Sequence, residues 1–416
     1  MKGQKIITGF GGISALTLFV VGACGGSGTA DIAGEADLRT IPDDPSAVRY
    51  TLGSKLANLS GQESKDFDDG LVAFSSNEGP DDGLGPVFNG ESCGQCHFQG
   101  AIGGAGNDLA LTRVTRIGGI VNGKYSDLED LGGPVIQSRS NREFNPAFPH
   151  SREFVPAEAK FVSLRITTPL FGLGLIEAIP QSAIVARSQQ RFGDGVSGTV
   201  NWVTNPATNT KEVGRFGWKA QVSSIEVFAA DAYLNEMGIT TPLFSTEQKP
   251  QGHTIAPGAD PVGDPEDAED VELFISFMKF LAPPTRSSLS IVAQRGEKLF
   301  GTTGCANCHA PQYNTGLNAN PALSNQNVNL YSDLLVHKMG SGLADGIIQG
   351  SAQGDQFRTA PLWGLSKRKF LLHDGRATTV DAAVGYHGGE ASIAAGRYFG
   401  GSEDDRTAIR EFLKSL

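Results

Sequence analysis

The sequence predicts a mainly α-helical chain of two domains, with long loops and small β-hairpin insertions. Three observations carry this. First, Gly and Phe stand four residues apart just ahead of each of two C-x-x-C-H stretches: Gly70 and Phe74 in "DFDDGLVAF", Gly296 and Phe300 in "IVAQRGEKLF". Residues four apart share a helix face, so the Gly admits a crossing helix and the Phe packs beside it. Second, each half closes on an amphipathic segment. "VELFISFMKFLAPP" aligns Phe274, Phe277, Met278 and Leu281, and "TAIREFLKSL" aligns Ile409, Phe412, Leu413 and Leu416. Third, "TTPLFGLG" (Thr167–Gly174) returns as "TAPLWGLS" (Thr359–Ser366), with Arg165 and Arg358 just before the two copies.

In chain order, Lys2 and Lys5 precede an apolar run from Ile6 to Ala23, the pattern of a secretory leader. Gly22 and Ala23 before Cys24 resemble a lipoprotein cleavage site, so residues 1–23 read as a signal peptide and Cys24 as the lipidated first residue. Four Gly make the run poor as a spanning helix. Residues 24–47 are small and polar and read as a flexible tether. Residues 48–283 form the first domain, enlarged by insertions such as "RFGDGVSGTVNWVTNPATNTKEVG", whose Gly, Asn and Thr predict turns or a hairpin. Pro283 and Pro284 stop the helix before them, and residues 284–416 form the second domain.

Removing residues 1–23 takes away two lysines and no acid, so the net charge of −11 becomes −13. An acidic exported chain is a poor nucleic-acid binder and is suited to a basic redox partner. Gly25 after Cys24 favours the outer membrane, the anchor being the only membrane contact.

The chemistry lies in Cys93, Cys96 and His97 and in Cys305, Cys308 and His309, two copies of C-x-x-C-H. That spacing attaches a c-type haem: two thiols add to the vinyl groups and the His ligates the iron. With Cys24 assigned to lipid, all five cysteines are used and no disulfide is left. Two zinc half-sites that combine into one four-thiolate cluster are the rival reading, but zinc ribbons need no His after each pair.

The stretches "GLGPVFNGESCGQCHFQGAIGGAG", "TPLFGLGLIEAIP", "GRFGWKA", "NEMGIT", "YSDLLVHKMGSGLADG", "RTAPLWGL" and "LLHDGRATTVDAAVGYHGGEA" resemble the bacterial di-haem cytochrome c peroxidase superfamily. Within it they are most similar to the di-haem oxidoreductase (thiol oxidoreductase-like) branch. The resemblance implies two cytochrome c-like helical domains with one covalent haem each, one haem taking electrons and the other reacting with peroxide. Fourteen residues after His373, where the peroxidases carry a Met ligand, stands His387. This implies His309/His387 coordination and a lowered potential. Met339, beside His337, is the rival ligand. After His97 the span "FQGAIGGAGNDLALTR" holds no His or Met, which implies an open, reactive iron unless His150 or His253 folds over it.

By the same resemblance the distal acid falls on Glu226, with Glu177 as competitor, and the inter-haem relay on Trp363 or Phe171. The family's calcium-binding "T-x-P" reads Arg368-Lys369-Phe370, so calcium is possible but unsupported. The expected partners are a small c-type cytochrome or other redox protein, and peroxide or another small substrate. Two alternatives stay open: an electron-transfer cytochrome with both irons six-coordinate, and an oxygenase or protein-modifying oxidase on the same scaffold.

Overall fold

The computed structural model describes residue 41, residues 48–265 and residues 270–416. The leader, Cys24 and nearly all of the tether lie outside these. Nine α-helices occur among the described residues: α1 (Gly61–Ser75), α2 (Leu173–Ala178), α3 (Gln181–Ser188), α4 (Ile225–Ala232), α5 (Asp270–Phe280), α6 (Ile291–Thr302), α7 (Val380–Gly385), α8 (Ser392–Gly400) and α9 (Glu403–Ser415). The strands are short: β1 (Val87–Phe88), β2 (Arg113–Val121), β3 (Lys124–Ser126), β4 (Val135–Ile136), β5 (Arg139–Ser140), β6 (Phe161–Ile166), β7 (Trp202–Asn205), β8 (Thr210–Val213), β9 (Tyr313–Asn314), β10 (Asn327–Val328), β11 (Val336–Lys338) and β12 (Gln356–Arg358).

Among the described residues helix takes 33% and strand 14%, so irregular backbone exceeds either. Helix is thus the leading regular structure, joined by the long loops and small β elements that were expected. The largest departure is a four-stranded antiparallel sheet centred on β2, which pairs with β6 from Arg113↔Ile166 to Gly118↔Phe161 and also with β3 and β4. The expected hairpin is present as β7–β8.

The two Gly–Phe segments are the helices α1 and α6, and their partners are α5 and α9. α1 starts with a reciprocal cap between Ser60 and Glu63, and Ser290 caps α6 by accepting from Ala293 N. A Cβ on Gly70 would stand 2.3 Å from the Leu273 carbonyl oxygen of α5, and one on Gly296 1.9 Å from the Ala408 oxygen of α9. Each crossing is therefore closer than any side chain allows. Beside them Phe74 packs on Phe274 and Phe277, and Phe300 on Phe412, with ring centroids 4.9–5.9 Å apart.

These two crossings seed two apolar clusters. The larger gathers α1, α2, α4 and α5 and also takes Leu330, Leu334, Leu335 and Trp363 from beyond residue 284. The smaller joins Phe300, Tyr331, Tyr398, Ile409 and Phe412.

Candidate active site: two cavities that share a wall

Both C-x-x-C-H stretches fold as the same tight turn. His97 N donates to Cys93 O at 3.0 Å and His309 N to Cys305 O at 2.9 Å. The turn gathers two thiols and an imidazole on one wall, and each imidazole meets the Phe of its preceding helix: Phe74–His97 at 5.9 Å, Phe300–His309 at 6.1 Å. Cys93, Cys96 and His97 line a cavity of about 200 Å³, and Cys305, Cys308 and His309 line another of about 220 Å³. This donor set fits a covalently tethered haem in each cavity: paired thiols able to form thioethers, and a neutral imidazole behind them. Burial pulls both imidazoles down to about 4, which keeps them unprotonated and able to ligate.

The His309 cavity has a second imidazole. His387, at the end of α7, lines it, as does the half-buried Met339. His387 Nδ1 bonds the Ala383 carbonyl at 2.8 Å and His309 Nδ1 the Tyr331 carbonyl at 2.9 Å. Each bond fixes the tautomer and turns Nε2 outward, the usual disposition of a ligating His. His337 is otherwise engaged: Nε2 meets Asp333 Oδ2 and Nδ1 meets Glu390 Oε2, both at 2.9 Å. Burial would lower its pKa, but Asp333 and its other partners hold it well above the ordinary value. His373 stacks on Phe357 at 4.3 Å, on the wall of the same cavity.

The His97 cavity is different. Among the described residues no second His lines it, and His150 and His253 lie outside it. Two thioethers do line it, Met237 and Met278, both buried in the apolar cluster. Sequence reading from His97 missed them because they lie far along the chain.

The same cavity contains acids, but not the expected ones. Glu226 sits on the exposed side of α4, and Glu177 on α2 accepts from Ile225 N at 2.7 Å, capping α4 from below. Neither lines either of these two cavities. The lining acids are Asp231 and Glu236, with Arg116, Arg165, Gln221, Asn235 and Gln349. The reason is local. After Ala232 the helix continues as a π turn over Tyr233–Met237, which brings Asn235, Glu236 and Met237 to the cavity. Glu236 Oε2 accepts from Asn89 Nδ2 at 3.0 Å. Burial lifts its carboxyl to about 7, against the lowering pull of Asn89, and burial also raises Asp231.

The two aromatics considered for the relay lie away from the cavity walls. Trp363 and Phe171 are core residues that line neither cavity, and Trp363 packs against Gly172. Trp218, Ile166 and Thr167 line both cavities, with Trp218 Nε1 donating to Ile166 O at 2.9 Å. Trp218 and Glu236 stand in "GRFGWKA" and "NEMGIT", two stretches that carry the family resemblance, which was the available signal for both. Near the first C-x-x-C-H, Asp68 and Asp69 pair with Lys55 and Lys65, and Asp82 accepts from Gly79 N.

Paired cavities of this kind define a redox protein with two cofactor sites side by side. The chain belongs to the family described as "Di-haem oxidoreductase, putative peroxidase", whose model matches residues 155–416. It is thus an oxidoreductase, and the family implies two haems. The match takes in the second C-x-x-C-H and His387 but begins after the first. Comparison with curated proteins gave no match. Among solved structures, the chain is similar to the diheme peroxidase BthA from Burkholderia thailandensis (13% identity, 86% of each chain, TM-score 0.40). It is also similar to a hydrazine synthase chain from Kuenenia stuttgartiensis (14%, 91% of this chain and 99% of that one, 0.38). A MauG-like protein associated with microbial copper homeostasis follows (13%, 91% and 95%, 0.37).

Proposed function

We propose that this protein is an exported di-haem c-type oxidoreductase of peroxidase type, in which electrons gathered at the His309 site reach peroxide at the His97 site. The carrying observation is the asymmetry of the cavities: His387 lines the first, whereas the second has half-buried acids and, among the described residues, no further imidazole. In this reading residues 48–283 and 284–416 are two cytochrome c-like units, each tethering its haem through the two thiols of its C-x-x-C-H.

When bound, the haems supply the redox-active irons and the store of electrons. The protein does the rest. His309 and His387 would both hold the haem of this site, which would then supply electrons and not bind substrate. Glu236, as carboxylate, takes a proton from the entering peroxide and returns it to the departing oxygen. Asn89 fixes that carboxylate, and Arg116 and Gln221 supply donors to the same space. Trp218, shared by both walls, provides the aromatic path between sites. The acidic surface suits a small basic c-type cytochrome as donor, and Cys24 would hold the protein to the outer membrane by lipid, facing the periplasm.

Met237 and Met278 support one other reading. A thioether reaching the His97 site would give two six-coordinate irons and an electron carrier. The test is peroxide consumption with a reduced small cytochrome as donor. Turnover that falls in Glu236→Gln and persists in Glu226→Gln supports the enzyme; no turnover by the wild type supports the carrier.

A further inference from the structure

Arg358 and Arg368 both line the His309 cavity. Arg358 Nε donates to Gly217 O at 2.9 Å, while its Nη1 is buried with no partner. Arg368 Nη2 donates to Pro361 O at 2.7 Å and Trp363 O at 3.1 Å, while its Nε is likewise buried and unpartnered. Among the described residues no carboxylate pairs with either. Arg165, which holds the related place in the sequence repeat, is in contrast paired with Asp345. Two buried guanidiniums bonded only to neutral carbonyls are costly, since an unpaired buried charge loses its hydration with no opposite charge to replace it. Burial pulls both down to about 10, and Arg368 adds to the shift of Arg358. A pair of anions brought by the ligand would remove that cost.

We propose that Arg358 and Arg368 form a two-cation seat for the carboxylates of the group bound in the His309 cavity, the two propionates of its haem. The proposal rests on the haem reading of that cavity. It assigns these arginines a second effect: two fixed positive charges beside the site favour the reduced state and raise a potential that bis-imidazole ligation lowers. Position 368, where the resemblance loses its calcium motif, thus supplies a cation from the chain itself.

The test is spectroelectrochemical titration of the purified holoprotein, with haem counted per chain. Arg358→Gln and Arg368→Gln are compared with Arg358→Lys, Arg368→Lys and the exposed Lys367→Gln. The expected result is a lowered potential of the low-spin haem alone, by about a tenfold change in the reduced-to-oxidised ratio at fixed potential, or about 59 mV for one electron. Lys at either position should restore most of it, and Lys367→Gln should change nothing. Resonance Raman propionate-bending bands of that haem should shift in the Gln variants. An unchanged potential and unchanged bands, with two haems retained, overturn the proposal. If a Gln variant fails to fold, the Lys variants decide, because Lys lacks the planar fork: unaltered bands in both would overturn it. A wild type holding fewer than two haems overturns the underlying reading instead.

Discussion

At the scale of single residues, the site depends on what can be read locally and what cannot. The thiols, His97 and His309 are legible because C-x-x-C-H is a short, fixed spacing, whereas His387 was legible only through the family resemblance, as a proposed ligand. Glu236 is not legible, because a π turn after α4 changes which residues face the cavity, and no periodicity announces it. Trp218 and Trp363 differ in the same way: the sequence repeat pointed to Trp363, but a shared wall is a tertiary property. Glu236→Gln should lower peroxide turnover by about 10²–10⁴-fold, while Glu226→Gln leaves it near wild type. Burial raises the Glu236 pKa to about 7, so the carboxylate form disappears as pH falls through 7. Peroxide turnover in the wild type should therefore rise with pH across that point, a limb that Glu236→Gln removes. His337, between Asp333 and Glu390, has its pKa raised, so its charge stabilises the fold fully below its ordinary value and less as pH rises through the folded one. Replacing it with Ala strands two carboxylates and should cost about 3–5 kcal/mol in denaturant unfolding.

At the scale of elements, the four crossing helices were legible and the main sheet was not. α1, α5, α6 and α9 carry apolar stripes and cap signals within a dozen residues. β2 and β6 pair residues about fifty apart, from Arg113↔Ile166 to Gly118↔Phe161, a registry that no local pattern encodes. The Gly crossings make a sharp prediction. In an exposed helix, Gly→Ala would gain about 0.8–1.0 kcal/mol. Gly70→Ala and Gly296→Ala should instead lose about 1–3 kcal/mol each, because the new Cβ meets backbone oxygen at 2.3 Å and 1.9 Å. Thermal unfolding would read this as lowered Tm in both, and a raised Tm would contradict the close crossing.

At the scale of the molecule, the proposed function rests on two similar cavities given different walls. The sequence repeat makes them alike; His387 and the acids of the π turn make them unlike. Trp218 joins them, so Trp218→Ala should slow reduction of one site by the other in stopped-flow traces, leaving both potentials in place. That division of labour is the central claim, and low-temperature EPR of the oxidised protein tests it most directly. The account predicts one low-spin ferric signal, from the iron held by His309 and His387, and one high-spin signal, from the iron at His97. Two low-spin signals would contradict it, and would mean that Met237 or Met278 closes the site at which peroxide is proposed to react.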